Sequence, residues 1–215
     1  MKLRHLGVVG FALAAVMAGN APVHAEIVWG VELFGGWGSY ALSDFNDSLA
    51  TVNQNLGTNF DDIKSGAAGG IGLRVWPTEQ ILLRLDLEGM LAETEDSGVT
   101  FDIGPGAGEV SGTYFFPLHA PIKFGLGLGL GAYSIAGRIE GPGGKLDTGG
   151  DAFGVHGMGE AMLPLASRLS ISGILGYRYA KVNDVKLNDQ STDTEADFSG
   201  VMLRVGIAYD LKSSH

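Results

Sequence analysis

Residues 81–91 alternate between large apolar and charged side chains. Leucine or isoleucine occupies positions 81, 83, 85, 87 and 91, whereas Arg84, Asp86 and Glu88 fall on the other parity. A period of two is that of a β-strand with two different faces. A soluble sheet can contain such a strand with its charges in water. Which face is buried therefore depends on whether other segments repeat the pattern.

Seven further segments alternate in the same way. The eight together are residues 28–42, 64–76, 81–91, 108–117, 122–135, 151–163, 168–182 and 198–211. Short connections that contain proline (77–80, 117–121 and 164–168) alternate with long polar ones (43–63, 93–107, 140–150 and 183–197). Short turns at one end and long loops at the other predict an all-β fold, an eight-stranded antiparallel up-and-down β-barrel.

The first long loop carries a helical signal. Ser43 is a typical N-cap, and Phe45, Leu49, Val52 and Leu56 follow at helical spacing before a glycine at position 57. This spacing predicts a short amphipathic helix in the loop.

The face of the strands that carries the smaller side chains, hereafter the smaller face, indicates which side of the barrel is inside. It consists mainly of glycine, alanine and serine, with charged residues at intervals. The interior of an eight-stranded barrel is just wide enough to be filled by side chains, so long charged residues beside glycine suit it. The opposite face is large, branched or aromatic, as lipid contact requires, with aromatic residues near the strand ends. The pattern favours a transmembrane barrel, and a soluble periplasmic lipocalin-like binder is the alternative.

The charged residues of the smaller face are expected to form a network that plugs the barrel. Five cations and five carboxylates nearly balance, as burial without uncompensated charge demands. Arg84, Asp86 and Glu88 should face partners such as Arg74 on the neighbouring strand and Arg204 or Arg178 across the lumen. A narrow channel for small solutes is the alternative to this plug. The expected interior set is Glu32, Arg74, Arg84, Asp86, Glu88, Glu109, Lys123, His156, Glu160, Arg178 and Arg204.

The first 25 residues have the organisation of a secretory signal peptide. Lys2 and Arg4 precede an apolar run at 6–18, and Ala25 supplies a small residue for cleavage. Residues 26–215 then form one barrel domain. Without Lys2 and Arg4, the 14 basic residues fall to 12 against 24 acidic ones, a net charge of −12 that argues against nucleic acid as a partner. Cysteine is absent, so disulfides do not stabilise the domain.

The last segment carries the most specific resemblance. Arg204, Gly206, Tyr209 and Leu211 are similar to the C-terminal assembly signal of small eight-stranded bacterial outer-membrane barrels, the class of the outer membrane protein A transmembrane domain. The rest of the mature chain also resembles this class, although such chains usually end on an aromatic residue and here residues 212–215 follow. The resemblance implies an outer-membrane location with periplasmic termini, a monomer surrounded by outer-membrane lipid and lipopolysaccharide, and recognition by the barrel assembly machinery.

No pattern in the chain indicates catalysis, a cofactor or a metal. The glycines of residues 125–131 lie inside one strand and lack the strand–turn–helix context of a dinucleotide site. His156 is the one strand histidine, with Glu160 on the same face, and no Ser–His pair is visible in the sequence. The acidic loop 183–197 fits no EF-hand. The sequence therefore predicts a structural or surface-interaction role without catalysis, and a lipid-modifying outer-membrane enzyme is a further alternative.

Overall fold

The computed structural model describes residues 27–42, 46–47, 50, 53–54, 59–96, 99–118, 120–141, 144–182, 186–187, 190–191 and 195–211. The expected signal peptide lies outside these residues, as do all the positions on which the predicted loop helix rested: 43, 45, 49, 52, 56 and 57. Both features therefore stay predictions.

Within the described part of the chain, no helix is both long enough and apolar enough to span a lipid bilayer.

Eight long strands form a closed antiparallel barrel. They are β1 Val28–Ser39, β2 Ser65–Thr78, β3 Ile81–Asp96, β4 Val99–Phe115, β5 Lys123–Gly141, β6 Gly144–Pro164, β7 Leu169–Val182 and β11 Gly200–Asp210. Each pairs with its neighbour along the chain, and β11 pairs with both β7 and β1, which closes the ring. Three two-residue strands lie between β7 and β11: β8 Lys186–Leu187, β9 Gln190–Ser191 and β10 Ala196–Asp197. The predicted eight-stranded antiparallel barrel is confirmed.

Two of the expected long loops are largely strand. The β3–β4 ladder continues to the pair Asp96↔Val99, and the β5–β6 ladder continues to Gly141↔Gly144. The prediction of loops at 93–107 and 140–150 was therefore wrong. Past residue 91, β3 has no ladder partner on its β2 side among the described residues, and it extends about 16 Å further at about 3.3 Å per residue. Residues 92–96 are Ala-Glu-Thr-Glu-Asp, so no hydrophobic alternation marks this extension.

The outer surface of the barrel is an apolar band with aromatic residues towards both ends. Large side chains are strongly exposed there, and Leu128, at 76%, is the most exposed large apolar residue among those whose exposure the structure describes. Trp29 and Trp37 lie eight residues apart on β1, about 26 Å along the strand. With the usual tilt of about 40°, this separation is about 20 Å along the barrel axis, close to the apolar band of about 25 Å in membrane barrels.

A row of glycines crosses this outer surface. Gly35, Gly69, Gly89 and Gly106 pair in register across β1, β2, β3 and β4. A methyl group on any of the four would meet its nearest atom at 3.5 Å or more. Packing therefore does not require glycine at these positions.

The interior is filled in three layers. At the short-turn end, Val28, Trp76, Leu82, Phe115 and Met162 form an apolar cluster. Charged residues occupy the middle, beside a small cluster of Met158, Ile174 and Met202. At the long-loop end lies a larger apolar cluster, hereafter the upper cluster, made of Tyr40, Leu42, Ile63, Met90, Ala107, Tyr133, Ala180, Val182 and Phe198. The charged layer is thus enclosed between two apolar layers.

Candidate functional site

The charged layer divides into two groups, of which the first is built around Arg84. Its Nε donates to Glu32 Oε2 at 3.1 Å, and its Nη1 donates to Glu160 Oε2 at 2.8 Å. Nη2 contacts the other oxygen of Glu160, so that contact is bidentate. Arg84 lies on β3, Glu32 on β1 and Glu160 on β6, on the opposite side of the lumen. Ser172 on β7 donates to the second oxygen of Glu32. The first group therefore joins four strands across the barrel.

The second group contains two arginines and three carboxylates. Arg178 Nη2 donates to Glu88 Oε1 at 2.7 Å and lies 3.3 Å from Glu109 Oε1. Arg204 Nη1 donates to Asp86 Oδ2 at 3.2 Å, and its Nη2 contacts both Glu88 and Glu109. These five side chains are all 5% exposed or less. The group carries one more carboxylate than guanidinium groups, and it joins β3, β4, β7 and β11.

Aromatic residues also contact the charged side chains of the second group. Tyr133 Oη donates to Glu109 Oε1 at 2.7 Å, and the Arg178 guanidinium lies 5.0 Å from the Tyr133 ring centroid. The Arg204 guanidinium lies 4.8 Å from the ring centroid of Phe34. Guanidinium groups stack favourably on aromatic faces, particularly when both are desolvated. The rings thus compensate part of the desolvation of the two arginines.

Arg74 and Lys123 lie nearer the short-turn end. Arg74 is fully buried and donates to Ser170 Oγ at 3.3 Å and to Met162 Sδ at 3.2 Å. Among the described residues, no ion pair joins Arg74 to a carboxylate, so its expected pairing with the charges of β3 was wrong. The reason is the register, which sets Arg74 directly opposite Arg84. Lys123 is half-buried, with its Nζ 5.4 Å from the centroid of the Trp76 ring.

Interior glycines make room for the charged side chains. A methyl group at Gly206 would overlap Glu32 Oε1 and lie 2.8 Å from Ser172 Oγ. At Gly72 it would overlap Asp86 Oδ1. These glycines therefore form the walls against which the long carboxylates pack, in contrast to the open row on the outer surface.

His156 lies within the same layer, 4% exposed. The register places Ser111 and His156 on either side of Gly129, so a serine and a histidine flank one glycine in the lumen. This neighbourhood depends on the β4–β5–β6 register and was not visible in the sequence. Ser111 is also 4% exposed. Both side chains face the closed interior, away from lipid and from either barrel mouth.

Asp210 and Tyr133 are interior polar residues that the expected interior set did not contain. Asp210 is 8% exposed and continues the parity of Arg204 on β11, and Tyr133 continues the parity of the interior glycines of β5. Extending each alternation by one or two residues would have found both. Adding Asp210 gives six interior carboxylates against five cations.

The residues of the expected assembly signal divide between the two faces of β11. Arg204 is buried in the second group and Gly206 lies beside Glu32, whereas Tyr209 and Leu211 are exposed on the outer surface. Arg204 therefore also belongs to the ion-pair network.

Among the described residues, no three or more His, Asp or Glu side chains are arranged to hold a metal ion.

The whole fold corresponds to that of known membrane barrels. A major outer membrane protein from Thermus thermophilus matches with a TM-score of 0.60 and 14% identity over 87% of this chain and 100% of that one. Neisserial surface protein A matches with a TM-score of 0.52 and 14% identity over 86% of this chain and 99% of that one. The chain has the fold of a small outer-membrane β-barrel. The resemblance inferred from the sequence is thereby confirmed.

A third solved structure agrees. The outer membrane protein AlkL, determined in lipid bilayers, matches with a TM-score of 0.51 and 15% identity over 91% of this chain and 97% of that one. No sequence family and no curated protein matches the chain. At these identities the likeness establishes the fold alone.

Proposed function

We propose that this protein is an integral outer-membrane barrel with a closed lumen, whose role is structural or based on interactions at the cell surface. The observation that carries the proposal is the filled interior. Two apolar clusters enclose two groups of ion-paired side chains, and all the paired members are nearly inaccessible to solvent.

The outer-membrane location is supported by the apolar band and its aromatic ends. A soluble barrel that carried an apolar ligand would have the reverse arrangement, with its large apolar side chains inside. A closed barrel leaves no unpaired strand edge in hydrocarbon, which is required within a bilayer. The protein is expected to stay in solution only with detergent and to migrate differently on gels before and after heating. Extraction by carbonate into a detergent-free soluble fraction would contradict the location.

The closed lumen follows from the energetics of the charged layer. A solute ion passing through would have to displace Arg84 from Glu160, or Arg204 from Glu109, in a water-poor interior. Removing one partner from a buried pair costs about 3–5 kcal/mol. An ion would also have to cross the apolar clusters at both ends. The arrangement therefore favours a plug over a narrow channel.

The closed lumen is tested by recording conductance in planar bilayers. The purified protein, shown to be folded by its heat-dependent gel mobility, is expected to produce no current steps. A known open porin reconstituted in parallel controls for insertion and detection. Reproducible steps from the folded protein would refute the plug and favour the alternative of a narrow solute channel.

The absence of catalysis is part of the proposal. His156 and Ser111 form a serine–histidine neighbourhood, but both face the sealed lumen, where a lipid ester cannot reach them. Lipid A and phospholipid profiles should be the same in cells carrying the wild-type protein and the His156→Ala variant. A difference between these profiles would instead support a lipid-modifying enzyme.

The expected topology and partners complete the proposal. The four long connections, including the extended β3–β4 and β5–β6 hairpins, would face the exterior, and both termini would lie in the periplasm. The monomer would be surrounded by outer-membrane lipid and lipopolysaccharide, after insertion by the assembly machinery. An epitope inserted between residues 97 and 98 should be labelled by antibody on intact cells. Labelling only after the outer membrane is permeabilised would reverse the topology.

A further inference from the structure

Four strands of the barrel continue together past the aromatic end of the apolar band. Leu91 of β3 pairs with Ala67 of β2, which in turn pairs with Trp37 of β1. Beyond Leu91, the β3–β4, β4–β5 and β5–β6 ladders all continue towards the long-loop end. One row of partners crosses all four strands: Glu95, Thr100, Glu140 and Lys145. The extension is therefore a continuous four-stranded sheet.

The two edges of this sheet differ. On the β6 edge, Thr148 and Gly149 pair with the short strand β8. On the β3 edge, residues 92–96 have no ladder partner among the residues that the structure describes. The chain that precedes β2 leaves this edge, since Ile63 is buried in the upper cluster. The described part of the chain thus leaves about 16 Å of β3 open on one side, at about 3.3 Å per residue.

The hydrogen-bond pattern identifies the backbone groups at this open edge. The β3–β4 ladder keeps one register along its length, and at its start the Phe115 N–H donates to the Gln80 carbonyl at 2.7 Å. Hydrogen-bonded pairs recur at every second residue of an antiparallel ladder, so the even-numbered residues of β3 direct their backbone groups to β4. The carbonyl of Leu91, an odd-numbered residue, points towards β2 instead. Glu93 and Glu95 therefore present their N–H and C=O groups to the open edge.

An open strand edge is a template for a further strand. An extended chain can add to such an edge through main-chain hydrogen bonds, and the side chains determine which chain fits. Glu93 and Glu95 together offer two N–H and two C=O groups, so an added strand can form four hydrogen bonds with them.

The charge of the edge strand indicates which kind of chain fits. Residues 92–96 contain three carboxylates and no cation, and Asp102 is the β4 partner of Glu93. Two copies paired edge to edge about a two-fold axis would place Glu93 opposite Glu95, and like charges opposite each other destabilise a pair of strands. Opposite charges across a strand pair stabilise it. The edge therefore suits an extended chain with basic residues better than a second copy of this chain.

We propose that the open edge of β3 at residues 92–96 is a docking surface for an extended basic segment of another protein, which adds one strand to the sheet. The inference rests on the proposed surface-interaction role, for which it names the surface and the kind of partner. Binding is measured on the purified protein in detergent. It can therefore fail while the barrel proves to be closed and correctly oriented, and it can succeed if the conductance or topology experiment fails.

Amide hydrogen exchange followed by NMR tests whether the edge is open and whether it binds. The probe is a hexapeptide of alternating lysine and threonine with blocked termini. Without peptide, the amides of Glu93 and Glu95 should exchange at least about tenfold faster than those of Ala92 and Thr94, which are bonded to β4. Saturating peptide should slow exchange at Glu93 and Glu95 to the rate of their neighbours. Protection of both amides without peptide would show that the edge is already covered, by this chain or by a second copy, and would overturn the proposal.

Two control peptides separate backbone pairing from charge. A hexapeptide methylated at every backbone nitrogen keeps its charges but has no N–H to donate, so it should protect neither amide. A hexapeptide with glutamate in place of lysine keeps its N–H groups but should bind about tenfold more weakly, because several cross-strand pairs become like-charged. Equal protection by either control peptide would contradict a basic added strand.

Glu93→Pro and Glu93→Gln are matched variants of the protein. Proline removes an N–H that faces the open edge and no hydrogen bond to β4, a position at which strands tolerate it. It should weaken peptide binding by about tenfold at any ionic strength. Glutamine keeps the N–H and removes one charge, so it should weaken binding only about two- to threefold, and this difference should disappear at high ionic strength. Unchanged peptide binding by the folded Glu93→Pro variant would also refute the docking surface.

Discussion

Replacing Arg84 by methionine tests whether the first ion-pair group stabilises the closed barrel. The variant keeps most of the side-chain volume but leaves Glu32 and Glu160 without a guanidinium. Both carboxylates are almost completely buried, and Glu160 has no other hydrogen-bond donor among the described residues. Removing one partner of a buried ion pair costs about 3–5 kcal/mol. The folding equilibrium should therefore shift by about 100-fold to several thousand-fold, at about 1.4 kcal/mol for each factor of ten.

The same reasoning predicts recovery when all the charges of the group are removed together. A triple variant with Arg84→Met, Glu32→Gln and Glu160→Met leaves no charged member of this group without its partner. Its free energy of unfolding should return to within about 2 kcal/mol of the wild type, because well-packed apolar replacements of buried ion groups are often neutral or stabilising.

The assay is reversible urea unfolding from lipid vesicles, followed by tryptophan fluorescence. Lys123→Met is the control, since Lys123 is half-buried and its Nζ lies 5.4 Å from the centroid of the Trp76 ring. Loss of this cation–π contact should cost about 1 kcal/mol or less. A change of less than about 1 kcal/mol for Arg84→Met, or a triple variant less stable than the single one, would refute the account based on uncompensated buried charge.

Three further predictions concern the two faces of the wall. Gly36→Ala should lower the free energy of unfolding by about 1–3 kcal/mol, because its methyl group would overlap a backbone carbonyl oxygen of β11. Gly35→Ala, on the outer face, should cause no loss in the same urea titration, and equal losses would contradict the face assignment. Leu128→Arg should cost about 2–4 kcal/mol on folding into vesicles, and a neutral effect would argue against lipid contact there. In single-tryptophan variants, brominated lipids should quench Trp37 and leave Trp76 unquenched, since Trp76 lies in the lumen.

The strands of the barrel could be predicted because lipid contact imposes a strict rule on one face. Residues such as Leu85 and Leu87 must be apolar in hydrocarbon, so a period of two is visible wherever a strand crosses the apolar band. The requirement for apolar side chains applies only where a strand crosses the apolar band. The strand extensions at 92–96 and 99–105 are held by backbone pairing, which the hydrophobic pattern did not reveal.

The pairing of the interior charges could not be predicted to the same extent. Alternation assigns a side chain to a face but does not give its height in the barrel, which depends on the register of every neighbouring strand. Arg74 and Arg84 both alternate onto the interior face, so the sequence allowed either of them to pair with the same carboxylates. In the structure the two arginines lie directly opposite each other. Ser111 and His156 likewise lie on either side of Gly129 only because β4, β5 and β6 pair in this register.

The register has a consequence for the order in which the barrel can form. On the β3–β4 hairpin, Asp86 faces Glu109, and on the β2–β3 hairpin Arg74 faces Arg84. Like charges opposite each other destabilise a pair of strands, so each hairpin is electrostatically disfavoured when it is alone. For Asp86 and Glu109, the offsetting charge is Arg204 of β11, which reaches them only when the ring closes. Partly assembled hairpins therefore gain little from the network, and closure should be highly cooperative.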